Sequence, residues 1–266
     1  MTIARVNGVD LWFEAIGSGE PILMMHGGLG MDHSYLRPWH DPLSAQGRLI
    51  YYDHRWNGRS ERVGPADHAQ WHADAAALLG HLHATPATIF GHSYGAWLAL
   101  GFAARHPQLV SRLILCGASP AFDYQPDLSR HERENPSAVR ALVEALEKPP
   151  ATDPELAELW RKILPLYFVA PPPSSVLANM VVSAPGYALG SRALAGFSEV
   201  DRLGRIDVPI HIIVGRHDFI TPVAQAHRIA SLAQRAQVVE LPSSGHFPFI
   251  EEPDAYLAAF RAALSS

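Results

Sequence analysis

The most informative segment of the chain reads Ile89-Phe90-Gly91-His92-Ser93-Tyr94-Gly95-Ala96-Trp97. An apolar, β-prone run ends in the pattern G-x-S-x-G, and a helical pattern of small residues follows at once. This predicts a strand, a sharp turn and a helix, with Ser93 at the apex of the turn. Such a turn strains the serine backbone, and Gly91 and Gly95 lack the Cβ atoms that would clash beside it. We therefore expect the serine hydroxyl to stand clear of the sheet, where a substrate can reach it.

Asp218 is the candidate acid. Serine is a weak nucleophile at neutral pH, so it needs a base to take its proton and a third group to orient that base. Residues 209–214 predict a buried strand, Asp218 follows on the next loop, and Thr221-Pro222 indicates a helix start. A carboxylate just past a strand end lies on the functional edge of a parallel sheet. The alternative is that Asp218 only caps the next helix or pairs with Arg216.

His246 is the candidate base. Residues 238–241 predict a final strand, and the loop 242–248 that follows it carries His246 between Gly245 and Phe247. The chain has 15 histidines, so any single loop histidine is a weak signal. The position of His246 after the last strand completes the chain order Ser…Asp…His that is typical of one class of serine hydrolases. Neutral imidazole near pH 7 suits proton exchange with a serine.

The glycine-rich segment His26-Gly27-Gly28-Leu29-Gly30 is the candidate oxyanion site. It follows the apolar run 21–25, and its glycines let backbone N–H groups approach a ligand. We assign the oxyanion hole to the N–H of Tyr94 and the N–H of Gly28 or Leu29. The alternative is a plain strand-to-helix turn. A nucleotide site is disfavoured because neither G-x-x-x-x-G-K-[ST] nor G-x-G-x-x-G occurs in the sequence.

The chain resembles the α/β-hydrolase superfamily over essentially its whole length, through five segments in the family's order. They are the oxyanion segment 26–30, the Y-D-x-R-type turn 51–60, the nucleophile elbow 91–95, the acid loop 215–218 and the histidine pair 245–246. Position by position, the resemblance implies a nucleophile at Ser93, an acid at Asp218 and a base at His246. It also implies two-step acyl transfer that needs no cofactor and no metal.

The resemblance leaves the substrate open. We expect a serine hydrolase that cleaves small carboxylic esters or lactones. A proline iminopeptidase-like aminopeptidase is an alternative, although that group typically has HGGPG and a Trp beside the nucleophile where this chain has Leu29 and Tyr94. An aminopeptidase of this kind would also need acidic groups to hold the substrate ammonium. The acidic residues of the predicted cap have a spacing that suits solvated helix faces instead: the glutamates at 132, 134, 144, 147, 155 and 158. A further alternative is a ligand receptor that retains the Ser93, Asp218 and His246 triad. In the turn at 51–60, Trp56 stands where the family usually has glycine. We expect its ring to pack within the protein and not to contact the substrate.

The element pattern predicts an α/β-hydrolase fold, with a mainly parallel central sheet of about eight strands and helices on both faces. A hairpin-like pair at 3–6 and 9–16 comes first. Further strands are predicted at 22–26, 49–53, 88–91, 113–116, 210–214 and 238–241, and helices at 73–83 and 96–106 among others.

A helical cap is predicted at residues 122–197, inserted into a core made of 1–121 and 198–266. Residues 118–185 contain no glycine and no convincing strand, and apolar residues from Leu156 to Phe168 recur at the 3–4 spacing of an amphipathic helix. Such a cap would lie above Ser93. The candidate pocket residues are Trp160, Tyr167, Phe168, Met180, Phe219 and Phe247.

Composition restricts the class of protein. The 266 residues are enough for one large α/β domain, and a net charge of −5 without a basic patch gives no indication of nucleic-acid binding. Cys116 is the only cysteine, which excludes intramolecular disulfides, and it is expected in a buried strand.

No signal peptide or transmembrane run is apparent, so we expect a soluble cytoplasmic protein that acts on a small molecule without a membrane partner. The oligomeric state stays open.

No metal site is expected. Histidines at 33, 40, 54, 81 and 83 lack H-E-x-x-H or paired-carboxylate spacing, so they are interpreted as surface or packing residues.

Overall fold

Eight strands form one sheet in the computed structural model, which describes residues 2–266. In chain order they are β1 (Thr2–Val6), β2 (Val9–Ile16), β3 (Pro21–Met25), β4 (Arg48–Tyr52), β5 (Ala87–His92), β6 (Val110–Cys116), β7 (Ile210–Gly215) and β8 (Ala236–Leu241). Across the sheet the order is β1-β2-β4-β3-β5-β6-β7-β8. β2 pairs antiparallel with β1 and β4, and every other pair is parallel. The predicted eight-stranded, mainly parallel sheet is confirmed.

The two faces of the sheet are covered by separate hydrophobic clusters. Ile89 and Leu113 point to one face, where they pack with residues of the helices at 68–81 and 94–105. Their neighbours Phe90 and Ile114 point to the other face, where they pack with the C-terminal helix and the segment after β6. Because successive side chains of a strand alternate in direction, a central strand covered on both faces buries every residue and is predominantly apolar. All six residues of β5 and all six of β7 are accordingly buried.

Eleven α-helical segments lie within the described chain. They are α1 (His68–His81), α2 (Tyr94–Arg105), α3 (Ser129–Glu134), α4 (Pro136–Glu147), α5 (Asp153–Ile163), α6 (Ser175–Ala178), α7 (Ala184–Leu194), α8 (Val200–Leu203), α9 (Val223–Leu232), α10 (Pro248–Glu251) and α11 (Pro253–Leu264). α1 begins five residues before its predicted start at Ala73. The Asp67 carboxylate accepts the Gln70 N–H over 2.8 Å and so caps a polar first turn that apolar periodicity does not reveal.

Helices α3–α7 all lie between β6 and β7, and residues 122–197 contain no strand. The two ends of this inserted segment meet at an isolated β-bridge between Ala121 and Ser198. Beside it, the Phe122 N–H donates to Phe197 O over 3.1 Å. This closure supports the proposed division of the chain into a core and a cap at residues 122–197.

The stripe from Leu156 to Phe168 is not a single α-helix. α5 ends at Ile163, and Leu164–Tyr167 forms a 3₁₀ turn. Pro165 has no N–H to donate and its ring would clash with the carbonyl of the preceding turn, so the α-helix cannot continue through it. The apolar spacing persists across the break because both the helix and the turn bury the same side of the segment.

Candidate active site

Ser93 occupies the sharp turn between β5 and α2. Its φ of 54° and ψ of −124° lie outside the regions that a non-glycine residue ordinarily adopts. The turn is held by the Ser93 N–H, which donates to Cys116 O on β6 over 2.8 Å. A Cβ at Gly91 would overlap the backbone of Gly95, and one at Gly95 would overlap the carbonyl of Met25. The strained strand–turn–helix predicted around Ser93 is therefore present.

Asp218 and His246 are brought together from two loops that follow β7 and β8. The imidazole Nδ1 of His246 donates to Asp218 Oδ2 over 2.7 Å, and both side chains are almost fully buried. Asp218 also accepts the N–H groups of Ile220 and Thr221 through Oδ1, at 2.9 Å each, and the Thr221 hydroxyl through Oδ2, at 2.6 Å. Asp218 thus caps the following turn and orients the histidine at the same time.

The second nitrogen of His246 is free to act on a neighbouring group. Nε2 is buried and has no hydrogen-bond partner among residues 2–266. His246 and Ser93 line the same small cavity of about 20 Å³, together with Tyr35 and His92. An unpartnered imidazole nitrogen buried beside a serine is the arrangement that proton transfer from that serine requires.

Residues with unpaired backbone donors lie beside the same space. In the part of the chain that the structure describes, the N–H groups of Gly28, Leu29 and Tyr94 form no hydrogen bond with the protein. All three residues line a cavity of about 130 Å³ together with Ser93. Gly27 brings the glycine-rich segment against the serine, since a Cβ there would lie 2.8 Å from Ser93 Cβ. The arrangement leaves N–H donors available for an oxygen bound at the serine.

The larger cavity is apolar. Its walls come from the core, through residues such as Trp97 and Ile220, and from the inserted helices, through residues such as Leu142, Trp160 and Tyr187. None of the side chains that line it is acidic, basic or a histidine. Because an unpaired charge is costly to bury, the cavity favours an uncharged, apolar group beside Ser93.

Comparison with known proteins places the chain in a family. The model of the alpha/beta hydrolase fold matches residues 20–253. This chain belongs to the α/β-hydrolase family. A proline iminopeptidase from Xanthomonas citri is 31% identical over an alignment that covers 95% of this chain and 91% of the relative. The enol-lactonase from Burkholderia xenovorans LB400 is 27% identical, with a TM-score of 0.79 and full coverage of both chains.

An esterase from Exiguobacterium antarcticum shares the fold, with a TM-score of 0.83 at 23% identity over 100% of this chain and 99% of the esterase. Within residues 2–266, no helix of this α/β hydrolase combines the length and apolar character needed to cross a membrane.

The predicted pocket residues of this α/β hydrolase separate into two groups. Trp160 and Tyr167 line both cavities beside Ser93, and Phe247 lines the smaller one. Three others lie outside both cavities: Phe168, Met180 and Phe219. The Phe168 ring stacks on Phe247 with centroids 4.8 Å apart and so backs the wall from outside. The Phe219 ring packs against the rings of Tyr167 and His131, and Met180 joins the cluster that covers this face of the sheet.

Sequence reasoning missed several cavity residues. Trp97 lies one helical turn after Ser93 on α2, and this i, i+4 relationship was a usable signal. Tyr187, Leu194 and Ile220 come from distant parts of the chain, and no local pattern brings them to Ser93.

His33 is neither a surface nor a simple packing residue, which corrects the sequence interpretation. It lies in a buried group with Asp32 and Asp53, and one potential ligand atom of each falls within 4.8 Å of the others. The carboxylates already have protein partners: His33 Nδ1 contacts Asp53 Oδ1 at 2.6 Å, and Arg59 contacts Asp32 at 2.6 Å. The cationic side chain of Arg59 and the histidine therefore balance the two carboxylates, and His33 lines a different cleft from the one that contains Ser93.

Trp56 adopts a left-handed backbone conformation, with a φ of 69°, at the position where the family turn has glycine. Its indole N–H donates to Gly64 O over 3.0 Å, and it does not line the cavities beside Ser93. The ring therefore packs in the turn, as expected from the sequence.

Cys116 is fully buried at the end of β6, as the sequence predicted. Burial raises the pKa of its thiol well above the ordinary value, so the reactive thiolate is disfavoured.

Proposed function

We propose that this protein is a serine hydrolase that cleaves small, uncharged carboxylic esters or lactones through an acyl-enzyme. The observation that carries the proposal is the arrangement of His246. Its Nδ1 is bonded to the buried Asp218 at 2.7 Å, and its Nε2 has no partner in residues 2–266 and shares a cavity with Ser93. This is the geometry in which a histidine takes a serine proton.

The proposed reaction has two steps. His246 Nε2 accepts the Ser93 proton as the hydroxyl oxygen attacks the ester carbonyl, and Asp218 stabilises the imidazolium. The N–H of Tyr94 and the N–H of Gly28 or Leu29 bind the oxyanion. The proton passes to the leaving alcohol, which departs. His246 then activates a water that hydrolyses the acyl-enzyme and releases the acid.

The apolar cavity supports an uncharged acyl group or lactone ring as the substrate. The proposed cap contributes Leu142, Trp160 and Tyr187 to its walls, so residues 122–197 would select the acyl group. The absence of charged side chains from the lining leaves an ionic substrate group without a partner.

Proline iminopeptidase activity is a second candidate, favoured by the 31% identity to the relative from Xanthomonas citri. Such an enzyme must hold the substrate ammonium with a carboxylate. The cavity lining includes no acidic residue, and the glutamates at 132, 134, 144, 147, 155 and 158 are all exposed. The site therefore supports the ester or lactone hydrolase over the aminopeptidase.

Three substrates test the proposal on wild type and Ser93→Ala: p-nitrophenyl butyrate, an N-acyl-homoserine lactone and proline p-nitroanilide. We expect wild type to hydrolyse the ester or the lactone and Ser93→Ala to lose at least about 10³-fold in kcat with an unchanged far-UV spectrum. Faster turnover of the anilide would favour the aminopeptidase. Equal activity of a folded Ser93→Ala would refute the mechanism, and binding without turnover would favour a receptor.

Asp218→Asn provides an independent check. The amide keeps the shape of the side chain but cannot stabilise the imidazolium, so kcat should fall by about 10³- to 10⁴-fold while the fold is retained. A variant that keeps wild-type kcat would exclude Asp218 as the acid.

A further inference from the structure

A continuous chain of hydrogen bonds crosses the interior beneath Ser93. The Gly27 N–H donates to Tyr35 Oη over 2.6 Å, and Tyr35 Oη lies 2.8 Å from His92 Nδ1. On the other side of the ring, His92 Nε2 lies 2.9 Å from the backbone oxygen of His246. All four residues are buried, so no bulk water competes for these bonds.

Only one arrangement of protons gives every donor and acceptor in this series of hydrogen bonds a partner. The His246 carbonyl can only accept, so His92 Nε2 carries the proton. Burial and the neighbouring His246 lower the pKa of His92 well below its ordinary value, so the ring is neutral and Nδ1 is an acceptor. Tyr35 must then donate its hydroxyl proton to Nδ1, and its oxygen accepts the Gly27 N–H. Burial raises the pKa of Tyr35, which keeps this hydroxyl protonated.

These hydrogen bonds join the three segments that would have to act together in catalysis. Gly27 belongs to the glycine-rich segment, His92 precedes the proposed nucleophile Ser93, and His246 is the proposed base. On the other side of the His246 Cα, the His246 N–H donates to Tyr167 O over 2.8 Å. The backbone of His246 is therefore held on both sides of its Cα, by the Tyr167 carbonyl and by the His92 side chain.

We propose that Tyr35 and His92 are positioning residues of the proposed hydrolase, an inference that rests on the proposed function. They set the separation between the Gly28 N–H, the Ser93 hydroxyl and the His246 imidazole. Both residues line the 20 Å³ cavity beside Ser93, but neither lines the 130 Å³ cavity that would receive the acyl group. Loosening these hydrogen bonds should therefore lower kcat and leave KM nearly unchanged, because the acyl group would bind against walls of the larger cavity that these two residues do not form.

The fold contains a matched control pair. Tyr256 Oη lies 2.8 Å from His40 Nε2, and the other nitrogen of that ring, Nδ1, lies 2.9 Å from Leu36 O. This is the same tyrosine-to-histidine-to-carbonyl arrangement, also fully buried and in the cluster on the same face of the sheet. Neither Tyr256 nor His40 lines a cavity that contains Ser93.

The experiment compares Tyr35→Phe with Tyr256→Phe by Tm and by ester hydrolysis across pH. Each variant removes one hydroxyl and leaves one imidazole nitrogen unpartnered, and Tyr35→Phe also leaves the Gly27 N–H without its acceptor. Both variants should therefore lower Tm, Tyr35→Phe at least as much as Tyr256→Phe. Tyr35→Phe should lower kcat by about 10- to 100-fold with KM within about twofold and change the pH profile of kcat, whereas Tyr256→Phe should retain wild-type values. Wild-type kcat in Tyr35→Phe, or an equal loss in both variants, would overturn the inference.

His92→Gln and His92→Leu provide a second pair if Tyr35→Phe is poorly folded. Glutamine retains a donor and an acceptor, so it should keep more kcat than leucine, and equal kcat in the two would contradict the inference. The rate of Ser93 labelling by a fluorophosphonate should follow the same order. A wild-type protein that neither hydrolyses esters nor reacts at Ser93 would refute the proposed function and the inference with it. An active wild type with an unaffected Tyr35→Phe would refute the inference alone.

Discussion

The backbone N–H of His246 donates to the carbonyl of Tyr167 over 2.8 Å, which bonds the loop of the proposed base to the inserted segment. The Tyr167 ring lines both cavities beside Ser93, and its centroid lies 5.5 Å from that of the His246 imidazole. A substrate that contacts Tyr167 therefore contacts the residue that also fixes the histidine loop. The proposed binding site and the proposed base are coupled through one residue.

Glu251 strengthens this coupling, and we predict that Glu251→Gln slows turnover. Its carboxylate accepts the Gly245 N–H over 2.7 Å and the Val169 N–H over 2.6 Å, so it joins the histidine loop to the inserted segment. Glutamine has one acceptor oxygen and would present an NH₂ group to the other N–H. We expect a destabilisation of about 1–3 kcal/mol and a lower kcat, measured by urea unfolding and ester hydrolysis.

The control for this prediction is Glu240→Gln. Glu240 is an exposed residue of β8, whereas Glu251 is half-buried, and the Glu240 carboxylate contacts His227 and not the histidine loop. It should retain kcat. A Glu251→Gln enzyme with wild-type kcat would show that the loop does not depend on this carboxylate.

Trp160 should limit the size of the acyl group. It lines both cavities beside Ser93, whereas Phe168 lies on the same segment but outside both. Trp160→Leu enlarges the space beside the serine, so kcat/KM for p-nitrophenyl octanoate relative to butyrate should rise by about 10-fold. Phe168→Leu should leave this ratio unchanged. Equal ratios in the two variants would remove Trp160 from the acyl site.

His33 should make stability depend on pH above neutrality. Burial opposes its charge, but hydrogen bonds to Asp53 and Glu14 outweigh burial and raise the pKa of His33 to about 9 from 6.5. A raised pKa means that the folded protein binds this proton more tightly than the unfolded chain does. The resulting stabilisation is fully present below pH 6.5 and is lost as the pH rises through 9, and it is on the order of 3 kcal/mol.

Urea unfolding of wild type and His33→Gln between pH 6 and pH 9.5 measures this contribution. Wild type should lose free energy of unfolding across this range, and His33→Gln should lose much less. His81→Gln changes an exposed histidine on α1 and should keep the wild-type slope. A wild-type slope in His33→Gln would show that another group is responsible.

The sequence predicted the sheet well because strands buried on both faces are predominantly apolar, as in β5 and β7. It predicted helix boundaries less well. The polar first turn of α1 and the break before Pro165 depend on a side-chain cap and a missing donor, and neither interrupts apolar spacing. Candidate site residues within local motifs were identified readily, whereas Phe168, Met180 and Phe219 share the aromatic or flexible apolar character of pocket residues without facing the cavity.

The sequence by itself determined the sheet, the turn that presents Ser93 and the positions of Asp218 and His246 after successive strands. These features depend on local chemistry: alternating burial, glycines where a Cβ would clash, and loops that leave the same edge of a sheet. Only the tertiary structure decided which side chains line the cavity, that His33 is held between two carboxylates, and that Tyr35 and His92 join three distant segments of the chain. These relationships join residues up to 154 positions apart, and packing alone brings such residues within hydrogen-bond distance.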